Sequence, residues 1–251
     1  MDSEQKRNKA FISGAVLLAA IFIIVIGGTY PAREAAIREQ NLNSYDTRVE
    51  QQLQQALIEY NAVLNRPHNI DELIASRDKL VSAYWSKYDF QTPIDLYTRQ
   101  MGETWSLAPG KYNQRWVETC RKLADMHRDA NQLSAAVVCY QSVLDHDLKY
   151  LGRSNVNLIR DYNNMGMVFY LLGTGFEERE KRLEEFKKAS RLLNQALVLV
   201  KEQKLEGTPR EATTLWNLYL VERDSGNVEA ETIKARAQAI DKAMNRVCRE
   251  P

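Results

Sequence analysis

The sequence predicts an all-α protein with a single N-terminal transmembrane helix, a helical neck and an α-solenoid of about four helical hairpins. Three observations predict this architecture: an uncharged apolar run near the N-terminus, an apolar stripe with helical spacing behind it, and a pattern that recurs 42 residues apart. A pattern that recurs at this length indicates stacked helical repeats, because each repeat buries its apolar face against its neighbours.

The first predicted element is a transmembrane helix at residues 10–30, which follows a short basic head at residues 1–9. No charged side chain occurs from Ala10 to Ala32, and about 20 apolar residues span the hydrocarbon core of a bilayer. The run is longer than the apolar part of a cleaved signal peptide and lacks a good cleavage site, so we predict an uncleaved anchor in the lipid bilayer. The basic head favours a cytoplasmic N-terminus and an extracytoplasmic repeat domain.

The second element is a helical neck or capping helix at residues 31–68. Its apolar residues recur at spacings of three and four, which places them on one face of a helix. These residues are Leu42, Tyr45, Val49, Leu53, Ala56, Tyr60 and Val63. The stripe either covers the apolar end of the repeat stack or pairs with its copy in a homodimer through residues 42–64.

The third element is a repeat domain at residues 69–251, in which one pattern occurs three times. Cys120, Leu123, Ala124, His127 and Asn131 match Tyr162, Met165, Gly166, Phe169 and Gly173, and a third copy starts at Leu215. The clearest repeats are residues 115–149, 157–200 and 211–245. An insertion of 11 residues lies within 174–186, which is rich in Glu, Lys and Arg, and it predicts about three extra turns of helix with the same face inward.

These repeats resemble the tetratricopeptide repeat (TPR) family. The motifs that carry the resemblance are Leu123-Ala124-x-x-His127, Met165-Gly166-x-x-Phe169-x-x-x-Gly173 and Gly226-Asn227-Val228-Glu229-Ala230. The 42-residue spacing is similar to the long variant of the repeat in kinesin light chains. The resemblance implies a solenoid whose first helices, one per hairpin, line a groove that binds protein segments and carries no catalysis.

The predicted protein-binding groove is formed by one face of each first helix. Its residues are Arg121, Lys122, Arg128, Arg160, Asn163, Asn164, Met167, Tyr170, Trp216 and Asn217. Lys122, Asn164 and Asn217 occupy equivalent places in consecutive repeats, and an Asn amide both donates to and accepts from a peptide backbone. Arg121 and Arg160 are suited to bidentate contact with a carboxylate. The alternative is that these polar residues are only solvated.

Composition argues against other classes of function. The net charge is +1, with 34 basic and 33 acidic residues, so no electrostatic attraction to nucleic acid is expected. The three histidines lack metal-ligand spacing, and the chain has no phosphate-binding loop or nucleophile motif. We therefore predict no metal, no cofactor and no enzymatic activity. The three cysteines form no disulfide pattern, and they favour a reducing compartment over an extracytoplasmic one.

The predicted function is that of a membrane-anchored interaction module, a scaffold or assembly factor that binds a protein or peptide segment in the groove. Two alternatives stay open. One is a chaperone-like receptor at a protein translocation site, and the other is a structural protein that self-associates through its neck.

Overall fold

The computed structural model describes residues 46–244, and within that range the chain forms helices joined by turns. Helix α1 covers residues 46–64. The remaining helices are α2 (Ile70–Trp85), α3 (Gln91–Trp105), α4 (Gln114–Asp129), α5 (Leu133–Leu151), α6 (Asn157–Thr174), α7 (Arg179–Glu202), α8 (Pro209–Ser225) and α9 (Ala230–Ala243). The predicted all-α fold is confirmed for this part of the chain.

The described residues divide into two compact units, with the boundary between Asn69 and Ile70. In the first unit, α1 contains the last five of the seven residues of the predicted neck stripe, and each of the five is less than 9 % exposed. The basic head and the predicted transmembrane helix at 10–30 lie outside the described residues. Between residues 46 and 244, no helix combines the length and the apolar character needed to span a membrane.

The second unit is a row of four helical hairpins: α2–α3, α4–α5, α6–α7 and α8–α9. Each helix packs on the next one along the chain, both within a hairpin and between hairpins. We call α2, α4, α6 and α8 the A helices, and α3, α5, α7 and α9 the B helices. Besides these sequential contacts, A helices α6 and α8 touch each other directly.

Local sequence explains where the helices of the clearest repeats begin and end. The Asn113 side chain accepts a hydrogen bond from the Trp116 N–H and so caps the start of α4. Helix α8 begins with Pro209, whose missing N–H costs nothing in the first turn. It ends at Gly226, which has a φ of 80°, a left-handed conformation that glycine adopts without strain.

Small residues at the repeated positions allow A and B helices to pack closely. Ala124 of α4 and Ala136 of α5 are both fully buried. Gly166, the counterpart of Ala124 in α6, lies against Leu193 of α7, whose Cγ would be 3.0 Å from a Cβ at that position. The repeated Ala and Gly positions therefore control how closely the two helices of a hairpin approach.

Most of the predicted insertion forms the start of the longest described helix, α7, which has 24 residues. Residues 175–178 make the turn that precedes it. Phe186, near the end of the insertion, is 1 % exposed. It packs where Gly173 has no side chain, since a Cβ on Gly173 would lie 2.6 Å from the ring. The added turns are thus anchored in the core by an aromatic residue.

Candidate functional site: a polar pocket between α6 and α8

A pocket of about 390 Å³ lies between the N-terminal halves of α6 and α8. Four of the ten predicted groove residues line it: Arg160, Asn163, Asn164 and Asn217. The structure therefore brings the two asparagines of the predicted ladder, Asn164 and Asn217, into one site. Asn157, Arg210 and Thr213 complete the polar part of the wall, and its apolar part is formed by Val156, Ile159 and Pro209.

Two arginines flank this pocket, and neither has a carboxylate partner in the described part of the chain. Arg160 of α6 and Arg210 of α8 are both exposed, and neither makes an ion pair within residues 46–244. The half-buried side chain of Asn164 also has no hydrogen-bond partner within the same range. These groups leave positive charge and free donors available to a ligand at this wall.

The floor of the pocket is a hydrogen-bonded group of three side chains. Asn163 is 7 % exposed; its Nδ2 donates to the Ile159 carbonyl at 2.7 Å and to Thr214 Oγ1 at 2.8 Å. Its Oδ1 accepts from Asn217 Nδ2 at 3.0 Å. This group links A helix α6 to A helix α8.

Arg121 lies in the interior instead of on the groove wall. It is 6 % exposed, and its guanidinium binds Asp161 of α6 at 2.8 and 2.9 Å and Asp147 of α5 at 2.8 Å. Both carboxylates are essentially fully buried. Three helices thus meet at one arginine, and all of its short contacts are to residues of this chain.

The cluster of Arg121, Asp147 and Asp161 carries one more negative than positive charge. Among the described residues, Asp147 Oδ1 has no hydrogen-bond partner, and the nearest ring nitrogen of His146 is 3.8 Å away. Burial raises the pKa of Asp147 to about 6, with the Asp161 charge acting in the same direction and Arg121 opposing it. Burial together with Lys149 and Arg121 lowers the pKa of His146.

Two further basic residues of α4 are neutralised by neighbours. Lys122 Nζ binds Asp78 of α2 at 2.5 Å, and the Tyr97 hydroxyl donates to the other oxygen of Asp78. Arg128 contacts Asp125 and Asp129 within its own helix, each at 3.0 Å.

The remaining predicted groove residues are also engaged with the chain. The Tyr170 hydroxyl donates to Asp224 of α8 at 2.7 Å, and burial together with Asp224 raises the pKa of Tyr170 to about 12. Trp216 Nε1 donates to Asp241 of α9 at 2.9 Å. Met167 is half-buried. Of the four basic residues predicted in the groove, Arg160 is the one without an acidic partner in the described chain.

Arg210 and Thr213 were not predicted, although the sequence contains a signal for them. They precede Asn217 by seven and four residues, and residues at these spacings share one face of a helix. The repeat pattern indicates only positions that have an equivalent in another repeat. Arg210 lies in the first turn of α8, ahead of the repeated motif, so the repeat pattern does not reach it.

Comparison with known proteins shows the fold. A kinesin light chain-like protein from Podosopora anserina with nearly identical TPR-like repeats superposes with a TM-score of 0.59 and 16 % identity, over 85 % of this chain and 95 % of that one. PlcR from Bacillus thuringiensis, in complex with the peptide PapR7 and DNA, gives a TM-score of 0.56 and 10 % identity, over 82 % of this chain and 71 % of that one. The chain has a TPR-like repeat fold. No family model matches its sequence, and no curated protein matches it.

Proposed function

We propose that this protein is a non-catalytic interaction module that binds a polypeptide segment in the pocket between α6 and α8. The bound segment contributes an acidic group, which the pocket recognises. The module acts as a scaffold or assembly factor held at a membrane by residues 10–30. Anchoring would confine the pocket to a thin layer and so raise the effective concentration of a partner at the same membrane. The N-terminus is proposed to be cytoplasmic and the repeats extracytoplasmic.

The observation that carries the proposal is the uneven neutralisation of basic residues among the A helices. Arg121, Lys122 and Arg128 each have a carboxylate within 3.0 Å. Arg160 and Arg210 have none in residues 46–244 and flank a pocket lined by amides. A guanidinium binds a carboxylate through two parallel hydrogen bonds, so an acidic side chain or chain terminus is the complementary ligand.

The structural likenesses support the proposal at the level of the fold. The Podosopora anserina protein has nearly identical TPR-like repeats, and PlcR was solved in complex with the peptide PapR7 and DNA. The chemical class of the ligand is inferred from the pocket residues of this chain and not from the neighbours. The amides of Asn164 and Asn217 can form hydrogen bonds with the backbone of an extended segment, whatever its side chains are.

A peptide selection on the full chain tests the proposed function. Random 12-residue peptides displayed on phage are selected, and one winner is synthesised for binding measurements by fluorescence anisotropy. We expect acidic winners, and we expect the double variant Arg160→Gln/Arg210→Gln to bind at least about tenfold more weakly, because hydrogen bonds to charged groups contribute about 1.5–3 kcal/mol each. Added salt should weaken the wild-type complex, since exposed charges are screened.

A matched control is Arg191→Gln, which removes an exposed arginine from B helix α7. It should bind the selected peptide as the wild type does. Winners without acidic residues, or equal binding by the double variant and the control, would reject the pocket as the binding site.

Two measurements in cells test the anchored scaffold role. Protease accessibility of the repeats from each side of the membrane, with and without residues 10–30, tests anchoring and orientation. Crosslinking of the full chain should capture one stoichiometric partner, whereas a chaperone-like receptor would capture many clients. A chain that crosslinks to itself through residues 42–64 would indicate the structural alternative.

A further inference from the structure

The carboxamide of Asn163 has only one possible orientation. One of its two polar atoms lies 2.7 Å from the Ile159 carbonyl oxygen, which accepts hydrogen bonds and never donates them. That atom must be the nitrogen, whichever way the amide is first drawn. The other polar atom, which contacts Asn217 at 3.0 Å, is therefore the oxygen.

The hydrogen bonds of Thr214 support the same orientation of the Asn163 amide. Its hydroxyl lies 2.9 Å from the Arg210 carbonyl oxygen and donates its single proton there. The Thr214 oxygen can then only accept from Asn163 Nδ2, at 2.8 Å. Both N–H groups of the Asn163 amide are now used inside the protein. Thr214 is fully buried and Asn163 nearly so, so water does not compete for these contacts.

The orientation of Asn217 follows from that of Asn163. An amide oxygen at Asn163 requires a donor, so the atom of Asn217 that faces it is the nitrogen. The carboxamide oxygen of Asn217 has no partner within residues 46–244, and Asn217 lines the pocket. A half-buried side chain of undetermined orientation thereby becomes a hydrogen-bond acceptor of fixed position.

We propose that Asn163 is a positioning residue that holds the Asn217 carboxamide oxygen toward the pocket, where it accepts a hydrogen bond from a backbone N–H of the bound segment. This inference rests on the proposed function, and it assigns the hydrogen-bond donors and the acceptor of the site to particular residues. Arg160, Arg210 and Asn164 supply donors, while Asn217 supplies a directed acceptor. The complementary ligand combines an amide N–H with an acidic group, as a peptide does.

The fixed acceptor also discriminates between anionic ligands. Simple carboxylate anions such as acetate present only acceptor atoms and leave the Asn217 oxygen desolvated without a donor. A polar group that loses water without gaining a partner costs about 1–3 kcal/mol. The pocket should therefore favour an acidic peptide over these simple anions.

The test uses the selected peptide and a set of analogues in which each backbone amide in turn is replaced by an ester, which removes one N–H. With the wild-type full chain, we expect one ester position to weaken binding about three- to tenfold, the effect of one neutral hydrogen bond. Asn217→Ala removes the acceptor at a half-buried position, and it should bind that ester and the parent peptide equally.

Asn163→Leu keeps the size of the side chain and removes all three hydrogen bonds of Asn163. It should show a smaller difference between the parent and the ester than the wild type does, because the Asn217 oxygen is then no longer held in one orientation. A purely structural defect would lower both affinities and leave their ratio unchanged. The matched control is Asn194→Leu, which removes the same kind of bond, from Asn194 Nδ2 to the Ser190 carbonyl on α7, and should retain the wild-type ratio.

The outcomes separate this inference from the proposed function. If no acidic peptide binds, the proposed function fails. If peptides bind and every ester analogue matches its parent in the wild type, the function stands and no ligand N–H meets Asn217. If Asn163→Leu keeps the wild-type ratio, Asn163 does not position Asn217.

Discussion

Arg121 and Arg160 are basic residues on neighbouring A helices, and the structure gives them opposite environments. Arg121 is buried and shared by two carboxylates, whereas Arg160 is exposed beside a pocket and has no acidic partner in the described chain. The partners of Arg121 come from α5 and α6, up to 40 residues away. The comparison shows that the role of a basic residue on a repeat depends on what the next hairpin presents to it.

Adjacent residues of α6 illustrate the same point. Asp161 is buried and binds Arg121, while Arg160, one residue earlier, lines the pocket. Consecutive residues of a helix point about 100° apart, since 3.6 residues make one turn. One helix therefore ties the second hairpin to the third with one side chain and offers a ligand contact with the preceding one.

Removing the buried arginine should have the largest effect. Arg121→Met leaves Asp147 and Asp161 buried next to each other without a cation, and breaking a buried ion pair costs about 3–5 kcal/mol. We expect urea denaturation of the variant to show a loss of this size in the free energy of unfolding. The triple variant Arg121→Met/Asp147→Asn/Asp161→Asn removes the orphaned charges and should recover much of the loss. A single variant as stable as the wild type would contradict the cluster's role.

A pH effect of intermediate size is expected from the same cluster. The pKa of Asp147 is about 6 in the folded protein and about 3.9 in an unfolded chain, so the folded state binds a proton first as the pH falls. By linkage, ionised Asp147 destabilises the fold above pH 6, and this penalty disappears as the pH is lowered toward 4. Relative to Asp147→Asn, the wild type should gain roughly 1–3 kcal/mol between pH 7 and pH 4.5.

His146 acts in the opposite direction, because its lowered pKa means that stability falls as the pH drops below its unfolded value of about 6.5. It is present in both proteins, so the part of its contribution that does not depend on the Asp147 charge cancels in the difference. Urea titrations of the two proteins at several pH values measure that difference. A difference that is constant across the range would show that Asp147 has an ordinary pKa.

The smallest effects on stability are expected from the solvent-accessible basic residues. Lys122→Met breaks the contact to Asp78, but more than a third of each side chain is exposed, and such pairs contribute about 0–1 kcal/mol. Arg160→Gln removes no ion pair of the described chain and should change stability by less than about 0.5 kcal/mol. A loss of several kcal/mol from Arg160→Gln would mean that this residue is structural, like Arg121.

Much of the fold could be predicted because its cause is local. The repeated apolar and small residues, such as Ala124 and Gly166, specify which helix faces are buried, and the register of 42 residues is readable without coordinates. The insertion was predicted to be helical from its composition, and Phe186, which anchors it, belongs to the same apolar periodicity. The predicted anchor at 10–30 stays a prediction.

The candidate site was predictable only in part, because hydrogen-bond partners come from distant segments. Helical spacing places Asn163, Asn164 and Asn217 on A helices. It does not reveal that Arg121 is ion-paired with Asp161, or Lys122 with Asp78, since these contacts depend on the offset between hairpins. Arg210 was missed because it precedes the repeated motif, although its spacing to Asn217 indicates a shared face.

The A helices are joined in sequence by polar side chains: α2 to α4 by Asp78 and Lys122, α4 to α6 by Asp161 and Arg121, and α6 to α8 by Asn163 and Thr214. In a repeat protein, the strength of nearest-neighbour interfaces decides whether repeats melt separately or together. Contacts at each of these junctions favour a single cooperative transition for the four hairpins. A substitution that destabilises one terminal hairpin would then lower the stability of all four hairpins.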